Sequence, residues 1–394
     1  MTATHQDPQS SSPDTGGVRA KVALLEAVGE PLRLAEVDLD APQDGEILVR
    51  MVGVGICHTD ISTAHGSIPV PLPAVLGHEG SGVVEALGPG VEQLAVGDHV
   101  ALSFDHCTEC PQCTTGHPAY CELFGSLNYF GTRLDGSVTM HRDGEDVYGS
   151  FFGQSSFATH AIASVRNAVK VPKELPLELL GPLGCGFQTG AGSVLNVLEA
   201  RSGEGIIIFG VGAVGMGAVM AAKTVACDPI IAVDTNAERL QIATELGATA
   251  TINPSDTADL LWTVQELAAP GLHHAFDAVG HAAVIRQALE SLRSPGHCVT
   301  VGFQGLEHEI TIDQGHLLLG RRLSGVIEGD ADPADFVPRL LELHAAGKFP
   351  FDRLIKTFPF SEINEAIAAA DAGDVIKPVL TFERAEHMPN ETQA

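Results

Sequence analysis

Four cysteines stand within fifteen residues, and their thiols are the side chains best suited to holding a metal ion. Four thiolates at such short spacing can surround one zinc ion tetrahedrally, and all-cysteine zinc sites are closed and structural. An iron–sulfur cluster also takes four cysteines, but nothing else in the sequence indicates electron transfer. Two disulfides are disfavoured in a reducing compartment. The sequence therefore predicts a structural zinc lobe over residues 105–123, with the ligands Cys107, Cys110, Cys113 and Cys121.

The other candidate metal ligands are dispersed along the chain. Cys57 stands in the segment CHTD, His78 in GHEG and Cys185 in GCG. Two cysteines and one histidine leave the fourth position of a zinc ion open for water or substrate, as a catalytic zinc requires. Spacing alone does not show that the three converge, and taken singly each residue is more often a buried cysteine or a loop histidine.

A glycine-rich turn, GVGAVG, has the pattern of a dinucleotide-binding site. It follows an apolar run at 206–209 and opens a helical run at 214–225, which is the context that this pattern requires. The glycines allow a tight turn and a close approach of the backbone to a pyrophosphate, and the helix N-terminus supplies free N–H groups. In another context the same glycines would serve packing alone. The cofactor-binding candidates in this turn are Gly210, Gly212, Val214 and Gly215.

An acidic residue at the end of the next predicted strand bears on the choice of cofactor. Asp234 lies 19 residues after the last glycine of the turn, where an acid meets the ribose hydroxyls of NAD and repels the 2′-phosphate of NADP. The nearby Arg239 either weakens that preference or flanks an unphosphorylated ribose. The sequence favours NAD.

The elements that must position these residues fall into two domains, as expected for 394 residues. Residues 19–187 are rich in glycine, proline and short β-type runs, which predicts an irregular, mostly β domain. Residues 188–327 alternate apolar strands with helices, which predicts βαβ units and a parallel sheet. Residues 328–394 end in a strand at 376–382 and are expected to return to the first domain. Residues 1–18 are predicted to be a disordered leader, and the last twelve a frayed tail.

Charge and composition exclude several classes of partner. The formal charge of −28 argues against nucleic acid and anionic membranes. No apolar run is long enough for a membrane span, and the first residues lack the features of a secretory signal. A cysteine cluster in a chain without an export signal predicts metal binding and a cytoplasmic location.

The chain resembles the zinc-containing medium-chain alcohol dehydrogenases over residues 20–382. Six features occur in the family's order: GICHTD, GHEGSGVVEALGPGV, the four-cysteine lobe, GCGFQTGAG, GVGAVG and the distal Asp234. The resemblance implies an α/β protein with a Rossmann doubly wound parallel sheet and a discontinuous, mostly β (GroES-like) domain. It also implies NAD and two zinc ions per subunit, one catalytic and one structural.

The resemblance further implies that Cys57, His78 and Cys185 ligate the catalytic zinc. Asp60 would accept a hydrogen bond from His78, an arrangement that orients an imidazole ligand. Glu79 would approach the metal from behind and be able to exchange as a ligand.

Three more roles follow from the resemblance. Thr59 takes the hydroxyl position of the proton relay, His58 faces the pyrophosphate, and Lys377 reaches the same phosphates. Many family members carry a histidine five residues after the first cysteine ligand as the end of the relay, where this chain has Ser62. The proton is therefore expected to leave through water or another group, such as His58.

Within the family the chain looks most similar to the aryl (benzyl) alcohol and allylic terpene alcohol dehydrogenases, through its segments 151–161, 182–198 and 325–352. This implies interconversion of a small apolar primary alcohol and its aldehyde in a wide apolar slot, although each phenylalanine taken singly is more often plain core. The family positions that line the cleft are Phe104, Phe151, Phe152, Phe303 and Ile327.

Three alternatives remain open. An aliphatic alcohol dehydrogenase is hard to exclude, whereas a thiol-adduct formaldehyde dehydrogenase would need basic residues that we do not find at the cleft positions. A non-catalytic nucleotide- or zinc-binding protein would have no need of an open zinc site and Thr59. The family is dimeric or tetrameric and commonly pairs through an edge strand, so a homo-oligomer is expected through residues 323–327 or the segment just before.

Overall fold

The computed structural model describes residues 17–382 of the chain. The predicted frayed tail lies outside the described residues, as does nearly all of the predicted leader, since the first strand already begins at Val18. None of the helices in the described range is both long and apolar enough to cross a membrane.

The first half of the chain forms the strands of a β-rich domain. Its strands alternate buried and exposed residues where one face meets the core and become continuously buried where both faces are covered, as in β1 and β3. The strands are β1 Val18–Leu25, β2 Arg33–Leu39, β3 Glu46–Gly55, β4 Ala74–Val75, β5 Glu79–Leu87, β6 His99–Leu102, β7 Met140–Arg142, β8 Glu145–Val147, β9 His160–Ser164 and β10 Ala168–Val171. Its helices are α1 His58–Ala64, α2 Pro111–Thr114, α3 Phe124–Asn128 and α4 Gly186–Gly192.

A six-stranded parallel sheet follows, with the strand order β13-β12-β11-β14-β15-β16. This is the order of a doubly wound dinucleotide-binding sheet, so the predicted fold class is confirmed. The strands are β11 Ile206–Phe209, β12 Ile230–Val233, β13 Ala250–Ile252, β14 Leu272–Asp277, β15 Leu292–Thr300 and β16 Arg321–Gly325. The helices are α5 Ala213–Thr224, α6 Ala237–Leu246, α7 Leu260–Ala268, α8 Ala282–Glu290 and α9 Gln314–Leu318.

The C-terminal segment then joins the β-rich domain. It consists of α10 Pro333–Ala345, β17 Ile355–Pro359, α11 Ile363–Asp371 and β18 Lys377–Thr381. Strand β18 pairs antiparallel with β3 in a sheet of the order β10-β6-β5-β3-β18-β17, with β9 also on β3. A five-stranded sheet of the order β4-β1-β2-β7-β8 completes the domain. Strand β3 therefore pairs with strands from both the early and the late part of the chain.

Helices α4 and α5 contact each other closely at a glycine. A Cβ atom on Gly190 would lie 1.9 Å from the carbonyl oxygen of Val214, so the two helix backbones approach as only glycine permits. Helix α4 directly follows Cys185, and α5 begins in the glycine-rich turn. The contact therefore fixes the position of a candidate metal ligand relative to the candidate nucleotide site.

We expect Gly190→Ala to lower the free energy of unfolding by about 1–3 kcal/mol, because the added methyl group forces two backbones apart. Urea denaturation of the purified protein measures this. Gly125→Ala in α3 is the matched control, since a Cβ atom there meets nothing within 4 Å and alanine favours helix. An equal loss in both variants would contradict the close-contact explanation.

Candidate metal centre and cofactor cleft

The three dispersed metal-ligand candidates come together at one end of strands β3 and β5. Gly55 is paired with Glu79 in the antiparallel register, which places Cys57 and His78 side by side just beyond the paired residues. Cys185 precedes α4 and reaches the same point. One ligand atom each from Cys57, His78, Glu79 and Cys185 lies within 4.8 Å of the others. Sheet register thus assembles a set of residues that are distant in sequence.

The histidine of this cluster is oriented by a buried carboxylate. His78 Nδ1 lies 2.9 Å from Asp60 Oδ1, and both side chains are almost fully buried. The other ring nitrogen, Nε2, is buried and has no hydrogen-bond partner among the described residues. A buried polar atom without a partner is costly unless a ligand satisfies it, so the geometry suits a metal ion at Nε2.

The two cysteines of the cluster shift each other's pKa in opposite directions. A hydrogen bond from Cys185 lowers the pKa of the Cys57 thiol well below its usual range, and the same contact raises the pKa of Cys185 well above it. A divalent cation binds thiolates and displaces the thiol proton. Two thiolates, one imidazole and an open position are the donor set of a catalytic zinc site. The residues therefore fit zinc.

The predicted structural lobe is also assembled. The four sulfur atoms of Cys107, Cys110, Cys113 and Cys121 lie within 4.8 Å of one another, and none of these cysteines is in a disulfide. Backbone N–H groups point at the sulfurs, for example that of Cys110 at Cys107 Sγ, at 3.3 Å. Backbone hydrogen bonds lower the pKa of Cys110 to about 6. This lobe is built to hold thiolates around a metal ion.

The glycine-rich turn leaves room for a ligand at the start of α5. Gly210 has a left-handed backbone (φ 80°), and a Cβ on Gly215 would lie 1.9 Å from the carbonyl oxygen of Gly210. A Cβ on Gly212, the N-cap residue of α5, would meet nothing within 4 Å. The open side of the turn is therefore where a pyrophosphate can approach the helix N-terminus. Val214 lies half-buried in the first turn of that helix.

Asp234 and Arg239 flank this turn. Asp234 accepts hydrogen bonds from the backbone N–H of Val211 at 2.8 Å and of Asn236 at 2.9 Å, so its carboxylate borders the turn. Arg239 donates to the carbonyl oxygen of Gly373 at 3.2 Å. Because Gly373 belongs to the C-terminal segment, Arg239 joins the two domains beside the nucleotide site.

Comparison with known proteins identifies the chain. It matches the models of the alcohol dehydrogenase GroES-like domain over residues 43–173 and of the zinc-binding dehydrogenase domain over residues 213–345. A geraniol dehydrogenase from Castellaniella defragrans is 45% identical over 367 residues, which cover 93% of this chain and 98% of that protein. The chain belongs to the zinc-containing medium-chain alcohol dehydrogenases.

Solved structures agree with this assignment. The benzyl alcohol dehydrogenase of Acinetobacter calcoaceticus has a TM-score of 0.89 at 41% identity and covers 93% of this chain and 100% of its own. An alcohol dehydrogenase zinc-binding domain protein from Burkholderia ambifaria has a TM-score of 0.91 at 46% identity, with the same coverage. The resemblance recognised in the sequence, including its aryl and terpene alcohol branch, is confirmed.

The predicted relay residues lie on α1. Thr59 Oγ1 is 3.6 Å from Cys57 Sγ, and Thr59 is half-buried, so its hydroxyl lies beside the metal cluster. His58 is exposed, and Ser62 is half-buried one turn further along the helix.

Lys377 lies in a buried contact with Glu79, and its reach to the cofactor phosphates stays a prediction. Its Nζ is 2.8 Å from both carboxylate oxygens of Glu79 and 3.2 Å from the carbonyl oxygen of Ile56, and its side chain is 3% exposed. These contacts use all three N–H donors of Lys377. The physical reason is Glu79, whose buried carboxylate needs a counter-charge. Burial raises the pKa of Glu79, and the charge of Lys377 opposes that rise.

Aromatic side chains form a wall against the zinc-ligand candidate His78. Phe152 stacks on the imidazole, with 4.5 Å between ring centroids, and Phe151 meets it edge-on at 5.7 Å. Phe104 lies behind this wall, 1% exposed and packed on Phe124. The other two predicted cleft residues differ: Phe303 and Ile327 are each 44% exposed in the single chain.

Two residues at the cluster were missed by the sequence analysis. Tyr129 packs edge-on against Phe152 at 5.4 Å, and burial raises its pKa, with the charges of Glu328, Cys185 and Cys57 adding to the rise. Glu328 is 6% exposed, and its Oε1 is 3.5 Å from Cys185 Sγ. Burial raises the pKa of Glu328 to about 7. Neither residue stands in a motif that could have identified it.

We expect Lys377→Met to destabilise this alcohol dehydrogenase by about 3–5 kcal/mol, because it leaves the Glu79 carboxylate buried without a partner. Urea denaturation of the zinc-loaded protein measures the effect. The double variant Glu79→Gln/Lys377→Met should recover most of the loss, since it removes both charges.

Lys170→Met serves as the matched control for that experiment. Lys170 is paired with Asp98 at 2.7 Å but is 57% exposed, so its loss should cost less than about 1 kcal/mol. Similar losses for Lys170→Met and Lys377→Met would show that burial of the Glu79 pair is not what matters.

Proposed function

We propose that this alcohol dehydrogenase interconverts primary aryl or allylic alcohols and their aldehydes by hydride transfer to and from NAD. The observation that carries the proposal is the aromatic wall of Phe151 and Phe152 against His78, with Tyr129 packed on both phenylalanines. Flat aromatic surfaces favour a planar ring or a conjugated chain over a short alkyl group. The catalytic zinc would be held by Cys57, His78 and Cys185, and a second, structural zinc by the cysteine lobe.

Each group at the site would have a separate role in the reaction. Zinc at this donor set supplies Lewis acidity towards the oxygen of an alcohol or aldehyde, and NAD supplies the hydride acceptor. Asp60 holds His78 in the tautomer that leaves Nε2 free for the metal. The aromatic wall orients the substrate and excludes water.

Thr59 handles the substrate proton. Its hydroxyl both accepts and donates a hydrogen bond, so it can take the proton from the alcohol side and pass one outward. Ser62 is no base at neutral pH, so the proton continues to water or to the exposed His58.

Asp234 supports NAD over NADP. Its carboxylate is held against the turn by two backbone N–H groups, and a fixed negative charge there repels a 2′-phosphate. Arg239 is engaged with Gly373 across the domains, which leaves the carboxylate dominant.

The exposed apolar surface supports a homo-oligomer. Strand β16 is the edge of the parallel sheet, paired on one side only within residues 17–382. Large apolar side chains at or near this edge are exposed, which is unusual for a monomer. We propose a dimer or tetramer of subunits joined here, in the cytoplasm, where thiolate ligands stay reduced. The exposed residues are Phe303, Leu306, Ile310, Leu317, Leu318, Leu319 and Ile327.

The substrate proposal is tested by following NADH absorbance with zinc-replete enzyme and matched alcohols: benzyl alcohol, cinnamyl alcohol, geraniol, ethanol and hexanol. We expect kcat/KM for the aryl and allylic alcohols to exceed that for ethanol by about a hundredfold or more, roughly 2.7 kcal/mol of discrimination. Each alcohol is assayed with NAD and with NADP. A preference for ethanol or hexanol would overturn the substrate class alone, and no turnover with any alcohol would favour a non-catalytic role.

The role of Thr59 is tested by removing its hydroxyl. Thr59→Val should reduce kcat by about 10²–10⁴-fold, the usual contribution of a positioned proton-transfer group. Thr59→Ser keeps the hydroxyl and is the matched control, expected to stay near the parent rate. Equal activity of the valine and serine variants would exclude a relay through this residue.

A further inference from the structure

Residues Glu328–Asp330, here called the strap, connect β16 of the parallel sheet to α10 of the β-rich domain. Their backbone is left-handed at three consecutive positions, with φ of 51° at Glu328, 69° at Gly329 and 47° at Asp330. Such a conformation is uncommon for residues other than glycine and persists only where the surroundings hold it. The contacts of the strap show what holds it.

One side of the strap is bound to the segment that carries Cys185. Glu328 Oε1 lies 3.5 Å from Cys185 Sγ, and Gln188 Nε2 donates to Glu328 Oε2 at 3.1 Å. Asn196 Nδ2 donates to the carbonyl oxygens of Gly329 at 3.2 Å and of Asp330 at 3.3 Å. A Cβ on Gly329 would come within 2.6 Å of the carbonyl oxygen of Gln188. The strap backbone therefore packs directly against α4.

The other side of the strap is bound to the cysteine lobe. His117, which stands between the third and fourth cysteines of the lobe, places its Nδ1 3.0 and 2.9 Å from the two carboxylate oxygens of Asp330. The strap thus contacts the lobe through the side chain of Asp330 and Cys185 through the side chain of Glu328.

We propose that His117 and Asp330 are positioning residues for the catalytic metal site: the hydrogen bond between them lets the cysteine lobe hold the strap, and the strap holds Cys185 through Glu328. The proposal rests on the function proposed above and extends it, because it assigns the lobe an effect on the other metal site. His117 is 50% exposed and Asp330 16%, so the pair contributes little to global stability. Its loss should therefore loosen Cys185 without unfolding the protein.

The test measures release of zinc from the zinc-loaded, cofactor-free enzyme to an excess of a chromogenic chelator. Cys185→Ser identifies which phase of release belongs to the catalytic site. We expect His117→Ala and Asp330→Ala each to accelerate that phase by about tenfold or more, the usual effect of losing a group that supports a metal ligand. The double variant should be no worse than either single one, because the two residues act as a pair.

Two further variants separate positioning from general damage. Asp330→Asn retains an oxygen that accepts a hydrogen bond from His117 and should stay within about threefold of the parent rate, since the hydrogen bond is kept. His141→Ala is the matched control: His141 pairs with Asp40 at 3.4 Å and Asp146 at 3.2 Å and is 37% exposed, but contacts neither strap nor lobe. We expect it to release zinc like the parent. The melting temperature and the kcat and KM for the best alcohol are measured alongside.

Parent-like release of the catalytic zinc from both His117→Ala and Asp330→Ala would overturn the proposal. So would acceleration confined to the lobe phase, or equal acceleration in His141→Ala. Because zinc release requires no turnover, an enzyme inactive on every alcohol would overturn the proposed function and still leave this test decisive.

Discussion

Three hydrogen-bond donors from two distant segments converge on the carboxylate of Asp60. The backbone N–H of Cys57 and that of Gly77 each donate at 3.0 Å, and His78 Nδ1 lies at 2.9 Å. One side chain thereby fixes the start of α1, the turn before β5 and the ring of a metal ligand at once. Since Asp60 is 2% exposed, its charge is acceptable only because these donors surround it. The geometry of the metal cluster depends on this one carboxylate more than on any other group.

The metal cluster carries more buried negative than positive charge, and the groups around it reduce this imbalance. The Cys57 thiolate and the carboxylates of Asp60 and Glu79 are opposed by Lys377, the only lysine or arginine among the buried residues that the structure describes. Excess negative charge at low dielectric is unfavourable, so the site is completed electrostatically by a divalent cation. Glu328 reduces the imbalance in another way, because its raised pKa favours the neutral carboxyl group. Metal binding and folding of this region are consequently coupled.

Local spacing made the cysteine lobe and the glycine-rich turn predictable, because each forms within one short segment. The catalytic cluster is different in kind: Cys57 and His78 meet through the pairing of Gly55 with Glu79, which no local pattern reveals, so only family resemblance could group them. Register also explains Lys377. Strand β18 pairs with β3 beside Gly55, and this turns the lysine towards Glu79. Tyr129 and Glu328 come from a loop and a connection between domains, where neither periodicity nor motif gives a signal.

The backbone contact between Gly190 and Val214 makes the alignment of the candidate metal and nucleotide sites independent of the side chains that would select the alcohol. Helix α4 follows a zinc-ligand candidate and α5 begins in the glycine-rich turn, so their contact sets the distance between the candidate metal and nucleotide sites without using any side chain of the aromatic wall. Phe151, Phe152 and Tyr129 lie on neither of these two helices. Mutations in that wall can therefore change which alcohol fits while the reacting groups keep their alignment. A scaffold of this kind can diversify its substrates through evolution without having to rebuild its chemistry.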